Sequence, residues 1–361
     1  MSKTYIIAEA GVNHNGSLDL AIALIDAAME AGADAVKFQT FKADKIVTAT
    51  TAKARYQKSN TGLNESQLTM LKALQLNEEA HDRIVEYCRV KSIDFISTPF
   101  DTDSVKLLTA KYKVKRIKIA SGEITNAPLL LEAARTQKPI ILSTGMCLLG
   151  EIEAALGVVA YGYLNSELTN TSPSLEAFQQ AYISGEGQRL LKERVTLLHC
   201  TTEYPAPFKD INLRMMDTLS SAFQLPVGYS DHSEGIAISI AAAARGASMI
   251  EKHFTLDRSL PGPDHKSSLE PIELKEMVRM IRQVEASLGS YVKMPAPSER
   301  TNMDAVRKSI VAATSIPKGE KFTEHNMTVK RPGTGISPMY YYDLMNQRAR
   351  IDYETDDTIQ Q

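Results

Sequence analysis

The chain has 361 residues, with 41 lysines and arginines against 43 aspartates and glutamates and a formal net charge of -2. That length suits one large barrel or doubly wound domain with a small module beside it. The balanced charge, without a basic block or an aromatic-basic stripe, sets nucleic acid aside as a partner. The opening stretch MSKTYIIAEAG lacks the three regions of a secretory signal, and no apolar run reaches the roughly 18 residues of a membrane span, so a cytoplasmic protein without membrane contact is expected. Cys88, Cys147 and Cys200 are odd in number and show no CxxC spacing, which fits reduced core thiols better than a disulfide framework.

In chain order, YIIAEAG is the first short apolar run that reads as a strand. Ser17 and Asp19 then supply helix-start chemistry, and Leu20, Leu24, Ala27 and Ala28 the apolar face of the first helix. Seven further strands follow: DAVKFQT, DFISTPF, RIKIASGE, PIILSTGM, VTLLHCTTEY, LPVGYSD and SMIEKHFT, and Met277, Met280, Ile281 and Val284 mark the last helix. Eight strand-helix units predict a closed (β/α)8 TIM barrel over 1–289, with a doubly wound open sheet as the competitor because alternation alone does not show closure. One connection, from Lys42 to about Leu76, is abnormally long and carries Tyr56, Gln57, Asn60, Thr61 and Gly62. Connections of that length usually cover a site; the competing reading is a mobile insertion. The stretch SYVKMPAPSERTN reads as a linker over 290–305, and 306–361 as a small β-rich module of about 55 residues, too small to bury much core alone.

In a barrel of this kind the chemistry sits where the strands end, so the residues closing each apolar run matter most. In order they are Glu9, Lys37 with Gln39, Thr98, Lys118 with Ser121 and Glu123, Ser143 with Thr144, Thr202 with Tyr204, Ser230 with His232, and Glu251 with His253. An unpaired ammonium inside an apolar strand is costly, so Lys37 and Lys118 call for anionic partners. Glu9 or Glu123 could serve; a bound anion with phosphate and carboxylate groups is the alternative, for which the hydroxyls nearby are suited. Gly122 and Gly145 offer places where backbone can approach a ligand. His232 and His253 close successive strands and could hold one metal ion while leaving positions open for water or substrate, with Asp231, Asp264 and His265 adding acids and an imidazole at the same end. His14, in NHNGS, reads equally as a site residue or as loop packing.

Together, IIAEAGVNHNGS, VKFQTFKAD, STPFD, KIASGEITN, ILSTGM, HCTTEYPAP, GYSDHS, EKHFT and PGPDHKSSLEP resemble the sialic acid synthase family. The tail from Val306, with KGE and VKRPGTGISP, resembles that family's C-terminal antifreeze-like module. The resemblance implies a TIM barrel followed by a small antifreeze-like β-rich domain, assembled as a domain-swapped homodimer. It implies a condensation of phosphoenolpyruvate with an N-acetylated amino sugar that depends on a divalent metal ion, Mn2+ or Mg2+. Carried over by motif, His232 and His253 bind the ion. Lys118, Thr98, Ser121, Ser143 and Thr202 hold the phosphate, and Lys37 and Ser230 the carboxylate. Gln39, Tyr204, Asp264 and Glu123 hold the sugar, Arg331 arrives from the partner chain for its N-acyl group, and Glu9 and Glu123 are the acid/base candidates. HCTTEYPAP looks more like the legionaminic acid synthases, which accept a 2,4-diacetamido-6-deoxy sugar, than like those that form sialic acid. Asn346-Gln347 stands where the family often has glycine and lysine, which brings the last strand of the small module into question.

Overall fold

The structure is a computed structural model that describes residues 3–61, 65–166 and 172–360, so Gly62 of the long connection lies outside the described residues. Eight short parallel strands form one sheet: β1 (Tyr5–Gly11), β2 (Ala35–Thr40), β3 (Asp94–Pro99), β4 (Ile117–Ile119), β5 (Ile140–Ser143), β6 (Val195–Cys200), β7 (Val227–Asp231) and β8 (Met249–His253). Their ladder order is β3-β2-β1-β8-β7-β6-β5-β4. The first and last strands are paired, Ile7 opposite Glu251 and Glu9 opposite His253, and β3 packs beside β4 at the one seam without a ladder. The sheet is therefore a nearly closed (β/α)8 barrel rather than an open doubly wound one.

Side chains alternate across a strand, and this period explains both the core and the site. Ile7, Ala35, Ile96, Ile141 and Leu198 fill the barrel interior as one buried cluster, with Met249 packed against it. Two residues further along the same strands come Glu9, Lys37, Thr98, Ser143, Cys200 and Glu251. An apolar plug thus lies one layer below a polar layer. The intervening residues, among them Ile6, Phe38, Leu142, Leu197 and Ile250, face the helices and belong to the main core. Full burial of each such side chain contributes about 1.5–3 kcal/mol.

Helix Leu18–Glu30 starts where Ser17 accepts a hydrogen bond from the Leu20 N–H at 3.3 Å. Its buried face is Ala21, Leu24, Ile25 and Ala28, so the stripe is centred one residue beyond Leu20 and Ala27, which are only half-buried. Helix Pro271–Leu288 likewise buries Leu274, Met277, Val278 and Ile281, leaving Met280 and Val284 at the margin. The long connection is largely helical, with short helices Ala43–Ile46, Arg55–Thr61 and Gln67–Leu74. Of these, the first and third pack on a satellite core of Val12, Phe41, Ala43, Met70 and Leu74. The buried Lys53 ammonium pins them, donating to Thr61 Oγ1 at 2.9 Å and pairing with Glu65 at 3.2 Å.

The chain divides into two compact units, Met1–Gly289 and Ser290–Gln361. The stretch expected to be a linker over 290–305 contains a helix, Pro297–Val306. Proline is well tolerated in a first helical turn, and the Glu299 carboxylate reaches back to accept from the Ala296 N–H at 2.7 Å. Beyond it, β9 (Ser309–Ala312) pairs antiparallel with β10 (Met327–Lys330). This unit has its own small core, built on Ile310, Ile316, Phe322, Met327, Tyr353 and Ile359. The segment at Asn346-Gln347 is in place: the Asn346 N–H donates to the Phe322 carbonyl at 2.9 Å and the Phe322 N–H to the Gln347 carbonyl at 2.8 Å. Asn346 has a φ of 66°, a left-handed conformation in which asparagine is the usual substitute for glycine.

Candidate active site

A cavity of about 320 Å³ opens where the barrel strands end, and its lining includes fourteen residues singled out from the sequence. These are Glu9, Lys37, Gln39, Thr98, Lys118, Ser121, Glu123, Ser143, Thr202, Tyr204, Ser230, His232, His253 and Asp264. Arg331, in the second unit, is exposed, and its Nε donates to the Val306 carbonyl at 3.0 Å.

At the floor, Lys37 Nζ lies 2.9 Å from Glu9 and 3.7 Å from Glu251, and donates to Thr98 Oγ1 at 3.1 Å. Lys118 Nζ lies 3.3 Å from Glu251, which also accepts from the Ser230 hydroxyl at 2.8 Å. All four ionisable side chains are at most 5% exposed. The lysine partners are therefore Glu9 and Glu251, and not Glu123, which instead accepts from Asn126 at 2.7 Å. Burial pushes the Glu9 carboxyl up to about 7 against the pull of Lys37. Burial also opposes ionisation of Glu251, but Lys118 and Lys37 outweigh it and hold that carboxyl at about 2. For Lys37 the desolvation cost is more than offset by Glu251 and Glu9, and its affinity for the proton rises; for Lys118 burial prevails and lowers it.

Beside Lys118 the lining is rich in hydroxyls. Ser143 Oγ and Thr202 Oγ1 are buried without a hydrogen-bond partner, a costly arrangement for hydroxyls unless something else satisfies them. Ser121 Oγ accepts from the Gly145 N–H at 2.9 Å and lies 3.0 Å from Cys200 Sγ. A Cβ on Gly145 would fall 2.2 Å from Thr202 Oγ1 and 2.8 Å from both Ser121 Oγ and Cys200 Sγ, so only glycine leaves these groups in place. Gly122 faces open space and carries no such constraint. Thr144, also at this strand end, donates instead to the Leu198 carbonyl at 3.0 Å.

The imidazoles of His232 and His253 lie with ring centroids 5.6 Å apart. His232 Nδ1 is 2.7 Å from the Thr201 carbonyl, which can only accept, so this nitrogen carries the proton and Nε2 presents a lone pair. His253 Nδ1 is buried with no hydrogen-bond partner. Burial lowers His232 to about 4 and His253 well below its ordinary value, which keeps both rings neutral. Two neutral imidazoles side by side, one with an orphaned nitrogen, fit a shared divalent ion. Among the described residues no group of three or more His, Cys, Asp or Glu side chains could hold a metal, so further ligands would have to be water or substrate. The Tyr204 ring stacks 4.2 Å from His232 and is covered by Tyr56, 4.9 Å away, from the long connection. Asn60 of the same connection donates to the Pro263 carbonyl at 2.7 Å, next to Asp264, whose carboxyl burial pushes up to about 6.

Two expectations, for Asp231 and His265, are corrected, and of the two readings of His14 one is selected. Asp231 does not line the cavity: with Lys252, 3.1 Å away and equally inaccessible, it sits on the opposite face of β7 and β8 and accepts from Ser233 and Ser239. His265 bonds Thr255 at 2.7 Å outside the cavity. His14 takes the loop-packing role, its Nδ1 accepting from the Gly16 N–H at 3.0 Å. Glu251 and Cys200 also line the cavity, although neither had been given a part in the chemistry. The alternation in MIEKH carries the signal for Glu251, since period two puts Glu251 and His253 inward and Lys252 outward.

Paired ammonium groups, unsatisfied hydroxyls and two neutral imidazoles at the mouth of a (β/α)8 barrel define an enzyme site for a small anionic substrate. The model of the NeuB family matches residues 24–293 and that of the SAF domain residues 307–361. The chain belongs to the NeuB family. It is 48% identical to the N,N'-diacetyllegionaminic acid synthase of Campylobacter jejuni, with all of both chains covered. The N,N'-diacetyllegionaminic acid synthase of Legionella pneumophila is 45% identical, over 98% of this chain and 93% of that one. Among solved structures, the N-acetylneuraminic acid synthetase of Leptospira borgpetersenii, in complex with citrate, matches with a TM-score of 0.66 and 33% identity, covering 84% of this chain and 90% of that one.

Proposed function

We propose that this chain condenses phosphoenolpyruvate with 2,4-diacetamido-2,4,6-trideoxymannose, giving N,N'-diacetyllegionaminate and phosphate. The observation that carries the reading is the floor of the cavity, where Lys37 and Lys118 lie beside the unpartnered hydroxyls of Ser143 and Thr202. Lys118, Thr98, Ser121, Ser143 and Thr202 take the phosphate, and Lys37 and Ser230 the carboxylate, through charge-assisted hydrogen bonds. Gln39, Tyr204, Asp264 and Glu123 orient the sugar. Glu9 and Glu123 are the carboxyl groups that exchange protons with the reactants. C3 of phosphoenolpyruvate bonds to the aldehyde carbon, water adds at C2, and the C2–O bond breaks to release phosphate. Holding both reactants in this geometry accounts for several orders of magnitude in rate.

His232 and His253 would hold a divalent ion, Mn2+ or Mg2+, which supplies polarisation of the sugar aldehyde. The choice of sugar rests on similarity to the two legionaminic acid synthases. N-acetylmannosamine, giving N-acetylneuraminate, is the second reading, favoured by the likeness to the Leptospira enzyme. Arg331 would come from the partner subunit of a domain-swapped homodimer, its exposed position suiting such a role. We place the reaction in the cytoplasm: all three cysteines are unpaired, and among the described residues no helix is long and apolar enough to cross a membrane.

The test is phosphate release from phosphoenolpyruvate with each sugar. Release with the 2,4-diacetamido sugar, abolished by chelation and restored by Mn2+ or Mg2+, is expected; no release with either sugar would overturn the reading. His232→Ala and His253→Ala are expected to lose turnover and bound metal while keeping the folded circular dichroism spectrum, because both sit at the rim.

A further inference from the structure

The same cavity that is ionic at its floor becomes apolar toward its rim, on the side of β2 and β3. Along β2 and just past its end, Lys37, Gln39 and Phe41 line the cavity in turn, and along β3 and just past its end Thr98 and then Phe100, so ammonium, amide and aromatic ring follow one another outward over roughly 13 Å of chain. Helices Ala43–Ile46 and Gln67–Leu74 and the residue after the first extend the apolar surface with Ile46, Val47 and Leu71. Phe41 and Phe100 meet edge to face at 6.2 Å. None of these five side chains carries a polar atom. The two amides of the connection that also line the cavity engage each other, Gln57 Oε1 accepting from the Ala54 N–H at 2.9 Å and from Gln67 Nε2 at 3.4 Å.

We propose that this apolar wall is the subsite for the methyl-bearing far end of the amino sugar, and that it selects a deoxygenated acceptor over a fully hydroxylated one. The proposal rests on the synthase reading above and assigns the residues that set that site's choice of acceptor. Phosphoenolpyruvate, with two anionic groups, occupies the ammonium floor, which leaves the sugar the space above it. N-acetylmannosamine has hydroxyls at C4 and C6; the 2,4-diacetamido-2,4,6-trideoxy sugar has an acetamido group at C4 and a methyl group at C6, and it is the C6 end that the wall faces. Against Phe41, Ile46, Val47, Leu71 and Phe100 a hydroxyl loses its water and gains no partner, whereas a methyl group gains dispersion contacts. An apolar pocket rejects added hydroxyls only modestly, so the selectivity this wall can supply is about 10- to 100-fold.

The experiment compares kcat/KM for N-acetylmannosamine, its 6-deoxy analogue and the 2,4-diacetamido-2,4,6-trideoxy sugar at saturating phosphoenolpyruvate. The wild-type chain is expected to rank them in rising order. Val47→Thr adds a hydroxyl at constant volume, and Leu71→Asn adds an amide of similar shape. Each is expected to shrink the ratio between the trideoxy sugar and N-acetylmannosamine by about 2- to 5-fold, a partial share of the selectivity of the whole wall. An unchanged ratio in both variants, with unfolding temperatures at the wild-type value, overturns the proposal. So does a wild-type preference for N-acetylmannosamine, although the synthase reading then stands. Failure of the wild-type chain to release phosphate with any of the three sugars is a different result: it removes the synthase reading, and this proposal with it.

Discussion

Glu251 is the carboxylate that both buried ammonium groups share, and it is held ionised because Lys118 and Lys37 together outweigh its desolvation. Replacing it with glutamine leaves Lys118 without the carboxylate nearest to it. Removal of one partner from a buried ion pair costs about 3–5 kcal/mol, and Glu251→Gln is expected to lower unfolding stability by that amount in a urea titration. If only the KM for phosphoenolpyruvate moves and the urea midpoint does not, the floor is less interdependent than its geometry indicates. Buried imidazoles set the acid side of stability. His14, His232 and His265 are lowered by burial to about 4, and His253 further. Their folded values lie below the unfolded value of about 6.5, so as pH falls the unfolded chain takes up protons first. The stability they contribute is complete above about pH 6.5 and is lost progressively toward pH 4. Unfolding temperatures of the metal-free chain are expected to drop across that window, and less steeply in His14→Gln; parallel curves would count against this account.

At the scale of elements, strand ends and their turns place the chemistry, and one helical connection covers it. Gly11 ends β1 at a register shift, with a φ of 53° that glycine adopts freely, and a Cβ there would stand 3.2 Å from Glu9 and 3.5 Å from His253. Gly145 plays the matching part after β5. Gly145→Ala is expected to raise the KM for phosphoenolpyruvate at least about tenfold, the cost of about 1.4 kcal/mol when displaced Thr202 and Ser121 hydroxyls no longer converge. An unchanged KM in that variant would show that the hydroxyls make room without loss. Behind the site, the Asp231–Lys252 pair ties the ends of β7 and β8 together one residue from each imidazole. The connection between β2 and β3 acts from above. Tyr56→Ala removes the ring that covers Tyr204, and it is expected to raise the KM of the sugar more than that of phosphoenolpyruvate.

At the scale of the whole molecule the chain is two units, each with a core of its own. Every barrel-borne residue of the proposed site comes from the first unit, and Arg331 from the second. If the arginine serves the partner's barrel, chains carrying Arg331→Ala and chains carrying Glu123→Ala, each inactive alone, complement one another. In the swapped arrangement a hybrid dimer holds one site with both residues intact. Mixed and exchanged chains are therefore expected to recover activity, up to about one quarter of the wild-type value from random pairing with one intact site per hybrid. No recovery after demonstrated exchange would place Arg331 in its own chain's site or outside any site.

Strand number, strand starts and the polar layer were legible in the sequence, because inward and outward positions alternate with period two and that pattern is local; the strand ends were not, RIKIASGE and VTLLHCTTEY each running four residues past β4 and β6. The same locality made Lys37, Lys118, His232 and His253 stand out, each being polar within an otherwise apolar run. Pairing was not legible. Glu123 lies only five residues from Lys118, yet Glu251, on a strand four positions away around the barrel, is its partner. Nor was the pairing of Asp231 with Lys252 on the far side of β7 and β8 legible. The apolar wall was hidden too, since the connection that carries Ile46, Val47 and Leu71 reads in sequence only as a long covering segment or an insertion, with no face assigned to any of them. Sequence by itself determined which face of each strand a residue occupies, through backbone geometry alone. Which charges meet across the barrel, and what closes over them, only the tertiary structure decided, because those distances follow from closing the sheet on itself.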